Sequence, residues 1–96
     1  MPADLRVTSG KQRGRTFSLV HGSYTVGRRS HNDITIRDKS VSRQHCRVDV
    51  EGKRYWLVDN ESHNGTYVNG RRVQRTLLYN GDAIILGKVE LRFEVV

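Results

Sequence analysis

Residues 46–59 read Cys46-Arg47-Val48-Asp49-Val50-Glu51-Gly52-Lys53-Arg54-Tyr55-Trp56-Leu57-Val58-Asp59. Cys46, Val48 and Val50 alternate with Arg47 and Asp49, the period of a strand with one buried face. Glu51-Gly52-Lys53-Arg54 is turn chemistry, and 55–59 is again rich in β-formers. The stretch therefore predicts two strands joined by a turn. Working outward, similar short runs lie at 5–7, 16–20, 23–26 and 34–36 on one side, and at 66–68, 71–73, 83–86 and 89–95 on the other. Leu91, Phe93 and Val95 alternate with Arg92 and Glu94 in the same way. Asn69-Gly70 is the preferred pair for a two-residue type I′ hairpin, and Asn80-Gly81-Asp82 marks another turn. No segment of a dozen residues holds a helical apolar stripe. The expectation is an all-β chain, a sandwich or a barrel.

Ninety-six residues make one domain, expected over 1–96. The longest apolar run is Ala83-Ile84-Ile85-Leu86, far below the roughly 20 residues of a membrane span. Met1-Pro2-Ala3-Asp4 lacks the basic and apolar regions of a signal peptide. The single cysteine, Cys46, excludes an internal disulfide and a CxxC zinc site. A reducing, cytoplasmic setting is the default, and no metal or cofactor is expected. The formal charge of +7 favours anionic partners: nucleic acid, phosphorylated peptide, acidic protein or lipid head groups.

Four stretches between the strand-like runs carry recognition chemistry. Gly27-Arg28 pairs a residue that lets the backbone turn sharply with a planar, permanently charged fork suited to phosphate oxygens. Ser42-Arg43-Gln44-His45 offers a hydroxyl and a backbone N–H in one place. Asn64-Gly65-Thr66 places an amide that can bond an extended ligand's main chain beside a tight turn. Asn69-Gly70, by itself, is a hairpin turn. Ser42 and His45 could in principle be nucleophile and base. No Gly-x-Ser-x-Gly elbow is present, however, and the sequence identifies no orienting acid or oxyanion hole. His45 reads instead as a buried hydrogen-bonding clamp between loops, and no catalytic residue is expected.

The conjunction is specific. Ser42 comes fourteen positions after Arg28, and Asn64 nineteen positions after His45. In this order and spacing the chain resembles the forkhead-associated (FHA) domain, a phosphothreonine-peptide-binding family. Asn32-Asp33-Ile34 and the stretch from Leu78 to Gly87 resemble the family's framing segments. The resemblance implies an eleven-stranded β-sandwich, FHA/SMAD-like, with the ligand held by loops at one end. It implies that Arg28 and Ser42 contact the phosphate by their side chains, and Arg43 mainly by its backbone. Asn64 would hold the peptide main chain, and the loop of Lys39, Ser40 and Val41 would read flanking residues. Gly27, His45, Gly65, Thr66, Asn69 and Gly70 would support the site. His63 stands where the family often has Thr or Ser, and its imidazole would take over that phosphate contact. The implied partner is a phosphothreonine-containing protein, a Ser/Thr kinase or its substrate.

Two other readings compete. A basic small-β nucleic-acid binder would suit the charge, but it normally shows a platform of exposed strand aromatics. Only seven aromatics exist, several at expected core positions, so no specific nucleic acid is expected. A phospho-independent FHA scaffold is the other, and intact Arg28, Ser42 and Asn64 argue against it.

Overall fold

The computed structural model describes residues 2–96. Eleven strands form: β1 (Ala3–Val7), β2 (Thr16–Leu19), β3 (Gly22–Gly27), β4 (Ile34–Thr35), β5 (Cys46–Glu51), β6 (Arg54–Asp59), β7 (Thr66–Val68), β8 (Arg71–Arg72), β9 (Arg75–Leu77), β10 (Ala83–Leu86) and β11 (Val89–Val95). They build a six-stranded sheet, β2-β1-β11-β10-β7-β8, and a five-stranded sheet, β4-β3-β5-β6-β9. Among the described residues only β3 and β4 pair in parallel; the other pairs are antiparallel. The architecture is the expected all-β sandwich, and among the described residues no helix crosses a membrane.

Alternation drives the packing. In β11, Val89, Leu91 and Phe93 face the core, while Glu90, Arg92 and Glu94 lie half-buried on the other face. Each buried side chain contributes about 1.5–3 kcal/mol. Tyr55 of one sheet meets Phe93 of the other with ring centroids 5.1 Å apart, so this pair joins the two layers. Cys46 is buried in the same core, where burial pushes its thiol pKa up and leaves it unreactive.

The hairpin predicted over 46–59 is β5–β6, in register from Cys46↔Asp59 to Glu51↔Arg54. At the predicted I′ turn, Asn69 and Gly70 take φ of 51° and 84°. The ten runs read from the residues miss β9. Arg75-Thr76-Leu77 has one apolar residue, and its strand character comes from pairing along β6, not from its own pattern. The topology then sorts the connections. Segments 28–33, 36–45 and 60–65 emerge at one end of the sandwich. The tight turns after β5, after β7 and before β10 emerge at the other.

Candidate functional site

The three longer segments enclose a cleft of about 650 Å³. Arg28, Arg29, Lys39 and Arg43 line it together with His31 and His63, and no carboxylate and no Phe, Tyr or Trp is in the lining. Four fixed positive charges around one concavity make a focused positive potential.

His45, wholly buried at the start of β5, holds the loops together. Its Nδ1 lies 3.0 Å from the Ser42 N–H and its Nε2 lies 2.9 Å from the Gly65 carbonyl. An N–H can only donate, so Nδ1 carries the lone pair and Nε2 carries the proton. Both nitrogens are thus used in the neutral form. Burial lowers the His45 pKa, against the opposing pull of the Gly65 carbonyl and of Asp59. The imidazole meets the Ser42 backbone, not its hydroxyl; that oxygen accepts the His63 N–H at 2.9 Å. Ser42 and His45 therefore do not form a nucleophile–base pair. His45 ties the Ser42 backbone to the Gly65 carbonyl.

Asp59, at the end of β6, organises the third segment. Its Oδ1 accepts the Ser62 and Thr66 hydroxyls, each at 2.6 Å, and its Oδ2 accepts the Ser62 N–H at 3.1 Å. Burial works against the ionised form, but these hydrogen bonds hold the carboxyl below its ordinary range. Gly65 follows at φ 86°, a conformation that favours glycine.

Gly27 has a different reason to be glycine than the sharp turn expected of it. Its φ lies outside the left-handed region; a Cβ would instead run into the Arg43 carbonyl and come within 2.8 Å of the Asn32 amide nitrogen. The backbone of 27–29 lies directly against 42–43: the Arg28 N–H donates to the Ser42 carbonyl at 3.0 Å. Asn32, buried, donates to the Arg29 and Arg43 carbonyls at 2.8 Å each, fastening the same seam.

Several donors remain at the cleft. Arg28 is exposed, and its Nε donates to the Val41 carbonyl at 3.0 Å, which leaves both Nη groups available. The Ser42 hydroxyl proton and the Arg43 N–H have no acceptor among the described residues. The Asn64 amide donates to the Ser40 carbonyl at 2.8 Å, leaving its oxygen open. Three expectations are corrected. The Ser42 N–H, expected to reach a ligand, is taken by His45. Val41, expected to touch peptide, lines the cleft, but its side chain lies in the core, 1% exposed, and its carbonyl accepts the Arg28 Nε–H. Ser40's hydroxyl is turned to Asp38, at 2.6 Å, and accepts the Lys88 N–H at 2.8 Å, so only its backbone serves the cleft.

Asn69 and Gly70, expected to support the site, lie at the opposite end. The three residues of β7, about 10 Å of strand, separate them from Gly65. Asn69 binds Asp82 and the Ala83 N–H, both at 3.0 Å. Sequence reasoning missed Asp59 and gave Asn32 no role beyond a framing segment. Asp59 had a local signal, an Asp three residues before a Ser, which is turn-capping chemistry. Asn32 stood only in the framing segment that the resemblance marked, and nothing local revealed its bond to the distant Arg43 carbonyl. Arg29, His31 and Gln44 also line the cleft unforeseen.

The FHA domain family model matches residues 24–87. The glycogen accumulation regulator GarA of Mycolicibacterium smegmatis is 39% identical over 89 residues, covering 93% of this chain and 56% of that protein. This chain therefore spans about half the length of such curated relatives. A solved FHA domain, studied for phosphothreonine-dependent FHA domain interactions, superposes with a TM-score of 0.93 at 34% identity, covering 100% of this chain and 98% of the other. The FhaA FHA domain, solved in complex with the intracellular domain of Rv3910, gives 0.89 at 36% identity, over 96% and 99% of the two chains.

Proposed function

Because this chain belongs to the FHA domain family, we propose that its loop-end cleft docks a phosphothreonine peptide of a partner protein, without catalysis, in cytoplasmic Ser/Thr-kinase signalling. The partner is the kinase or a substrate of it. The observation that carries this is the set of unclaimed donors over a cleft without carboxylates. The Arg28 Nη groups, the Ser42 hydroxyl and the Arg43 N–H suit a phosphate, with the His63 imidazole beside them. Lys39 and the Ser40 backbone flank the ligand, and the Asn64 amide meets its main chain. A phosphate dianion gains about 1.5–3 kcal/mol from each hydrogen bond with a charged partner, which a threonine hydroxyl cannot match. A nucleic-acid role finds little support at the cleft, whose lining includes no Phe, Tyr or Trp as a stacking platform for bases.

The test is calorimetric titration of matched phosphothreonine and threonine peptides, on the wild type and on Arg28→Ala. The phosphopeptide alone should bind the wild type. Arg28→Ala should cost about 2–5 kcal/mol of binding, roughly thirtyfold or more. It should remove only about 1 kcal/mol of stability, through the bond to the Val41 carbonyl. Equal affinity for the two peptides would overturn the reading, and a binding-competent Arg28→Ala would overturn the phosphate assignment.

A further inference from the structure

We infer that a second anion-binding surface adjoins the cleft, a basic shelf of Lys11, Arg37 and Lys88, and that it holds an acidic stretch of the same phosphorylated partner; this rests on the function proposed above. The shelf is built by specific contacts between three segments. The Gln12 side chain donates to the Thr35 carbonyl at 3.2 Å and accepts the Arg37 N–H at 2.7 Å, which fastens the β1–β2 loop to the cleft-forming segment 36–45. The Lys88 N–H donates to the Ser40 hydroxyl, fastening the β10–β11 turn to that same segment. Gly87 has no Cβ where the Ser40 carbonyl and hydroxyl press against it.

These contacts gather the cations around one carboxylate, Asp38. Two hydrogen bonds from Ser40, its hydroxyl at 2.6 Å and its N–H at 2.9 Å, already occupy Asp38 Oδ1. They, and then the nearby charges of Lys88 and Lys11, hold the Asp38 pKa below its ordinary value. Lys11, Arg37 and Lys88 are exposed, and none of them forms an ion pair at contact distance among the described residues. Their excess positive charge is therefore open to a ligand.

Continuity with the cleft selects the ligand. Lys39 lines the cleft and Arg37 stands two residues before it, at most about 7 Å along the backbone. An extended peptide leaving the cleft covers that span in two residues. Carboxylates or a second phosphate placed two to five residues from the phosphothreonine would then lie over the shelf.

The experiment titrates four peptides: a phosphothreonine peptide with neutral flanks, two versions of it with four aspartates on one side or on the other, and the unphosphorylated twin of the neutral-flanked peptide. Each is titrated into the wild-type chain, into Lys11→Ser/Arg37→Ser/Lys88→Ser, and into Lys53→Ser/Arg54→Ser/Arg71→Ser, which loses equal charge at the far end. One acidic flank should raise wild-type affinity about tenfold in low salt, falling towards threefold at 300 mM salt. The shelf variant should lose that gain and still bind the neutral-flanked phosphopeptide within about twofold of wild type. The far-end variant should keep the gain. No gain on either side, or equal loss in both variants, overturns the shelf while leaving the cleft intact. Failure of the neutral-flanked phosphopeptide against its unphosphorylated twin overturns the cleft reading and the shelf with it. A single-stranded DNA oligonucleotide that binds more tightly than the acidic-flanked phosphopeptide, and is released in the shelf variant, would make the surface a nucleic-acid site.

Discussion

The two ends of this sandwich are closed by different physics. At the far end, two short hairpins and the tight β9–β10 turn, which crosses between the sheets, run on residues with positive φ: Gly52 at 62°, Asn69 at 51°, Gly70 at 84° and Gly81 at 90°. Each turn is specified by the residues inside it. At the cleft end, the segments are long and are held by buried polar side chains that reach across the sequence. His45 spans to Gly65, Asn32 to Arg43 and Asp59 to Thr66. The difference teaches where a binding surface can be carried. Tight turns fix the backbone; the far end's concavity, about 440 Å³, is smaller than the cleft and is lined by Tyr55, Trp56 and Tyr79 rather than by a cluster of arginines. Long segments make the cleft, and buried polar groups then become the condition for its shape, because an unmade buried hydrogen bond is expensive.

The comparison breaks most visibly at His45. His45→Ala leaves the Ser42 N–H and the Gly65 carbonyl without partners, at about 1–3 kcal/mol each. In a domain of this size each kcal/mol lowers the melting temperature by roughly 4–8 °C, so a fall of 10 °C or more is expected, with loss of phosphopeptide binding as the loops separate. A His45→Ala chain that melts like the wild type would show that the cleft end needs no clamp.

Acid should reach the cleft end before the rest. The folded-state pKa of His45 is lowered by burial from 6.5, so the unfolded chain binds the proton more readily than the folded one. Its contribution is complete above pH 6.5 and is lost as the pH falls below that value. Asp59 is also lowered, from 3.8, but as an acid: its stabilisation is present above about pH 4 and is lost as the pH falls through its folded value. Melting curves should therefore show stability declining below pH 6.5, then a second decline below pH 4. His45→Gln should remove the first decline and keep the second. A first decline that persists in His45→Gln would assign it to another group.

The same contrast explains what could be read from the residues. The far end was legible because Asn69-Gly70 and the alternation of 46–50 are local codes. The strands were legible too, except β9, whose three residues become a strand only by lying along β6. At the cleft end the bare residues supported a loop arginine, a serine and a clamp. Their assembly into one site came from the spacing shared with FHA domains. The role of Asn32 and the true reason for Gly27 stayed hidden because both depend on how 27–32 presses against 43, a contact between segments that no periodicity encodes. Val41 reads as a loop residue for a related reason: nothing in its neighbours reveals that the chain there turns into the core.

Gly70 offers the mildest test, because it separates an end that supports the site from one that does not. Its φ of 84° lies in the left-handed region, and a Cβ there would meet no atom within 4 Å. The cost of Gly70→Ala is therefore conformational, about 1 kcal/mol for an L side chain at such a φ, or roughly 4–8 °C in melting temperature. Nothing on the cleft side should sense it. Strand β7 stands between, and the bonds of Asn69 run to Asp82 and Ala83, away from the loops. Phosphopeptide affinity should stay within about twofold of wild type, as for a surface change remote from the ligand. An affinity that falls along with the melting temperature would mean that the Asn69-Gly70 turn acts on the cleft through β7. The two ends would then be one mechanical unit.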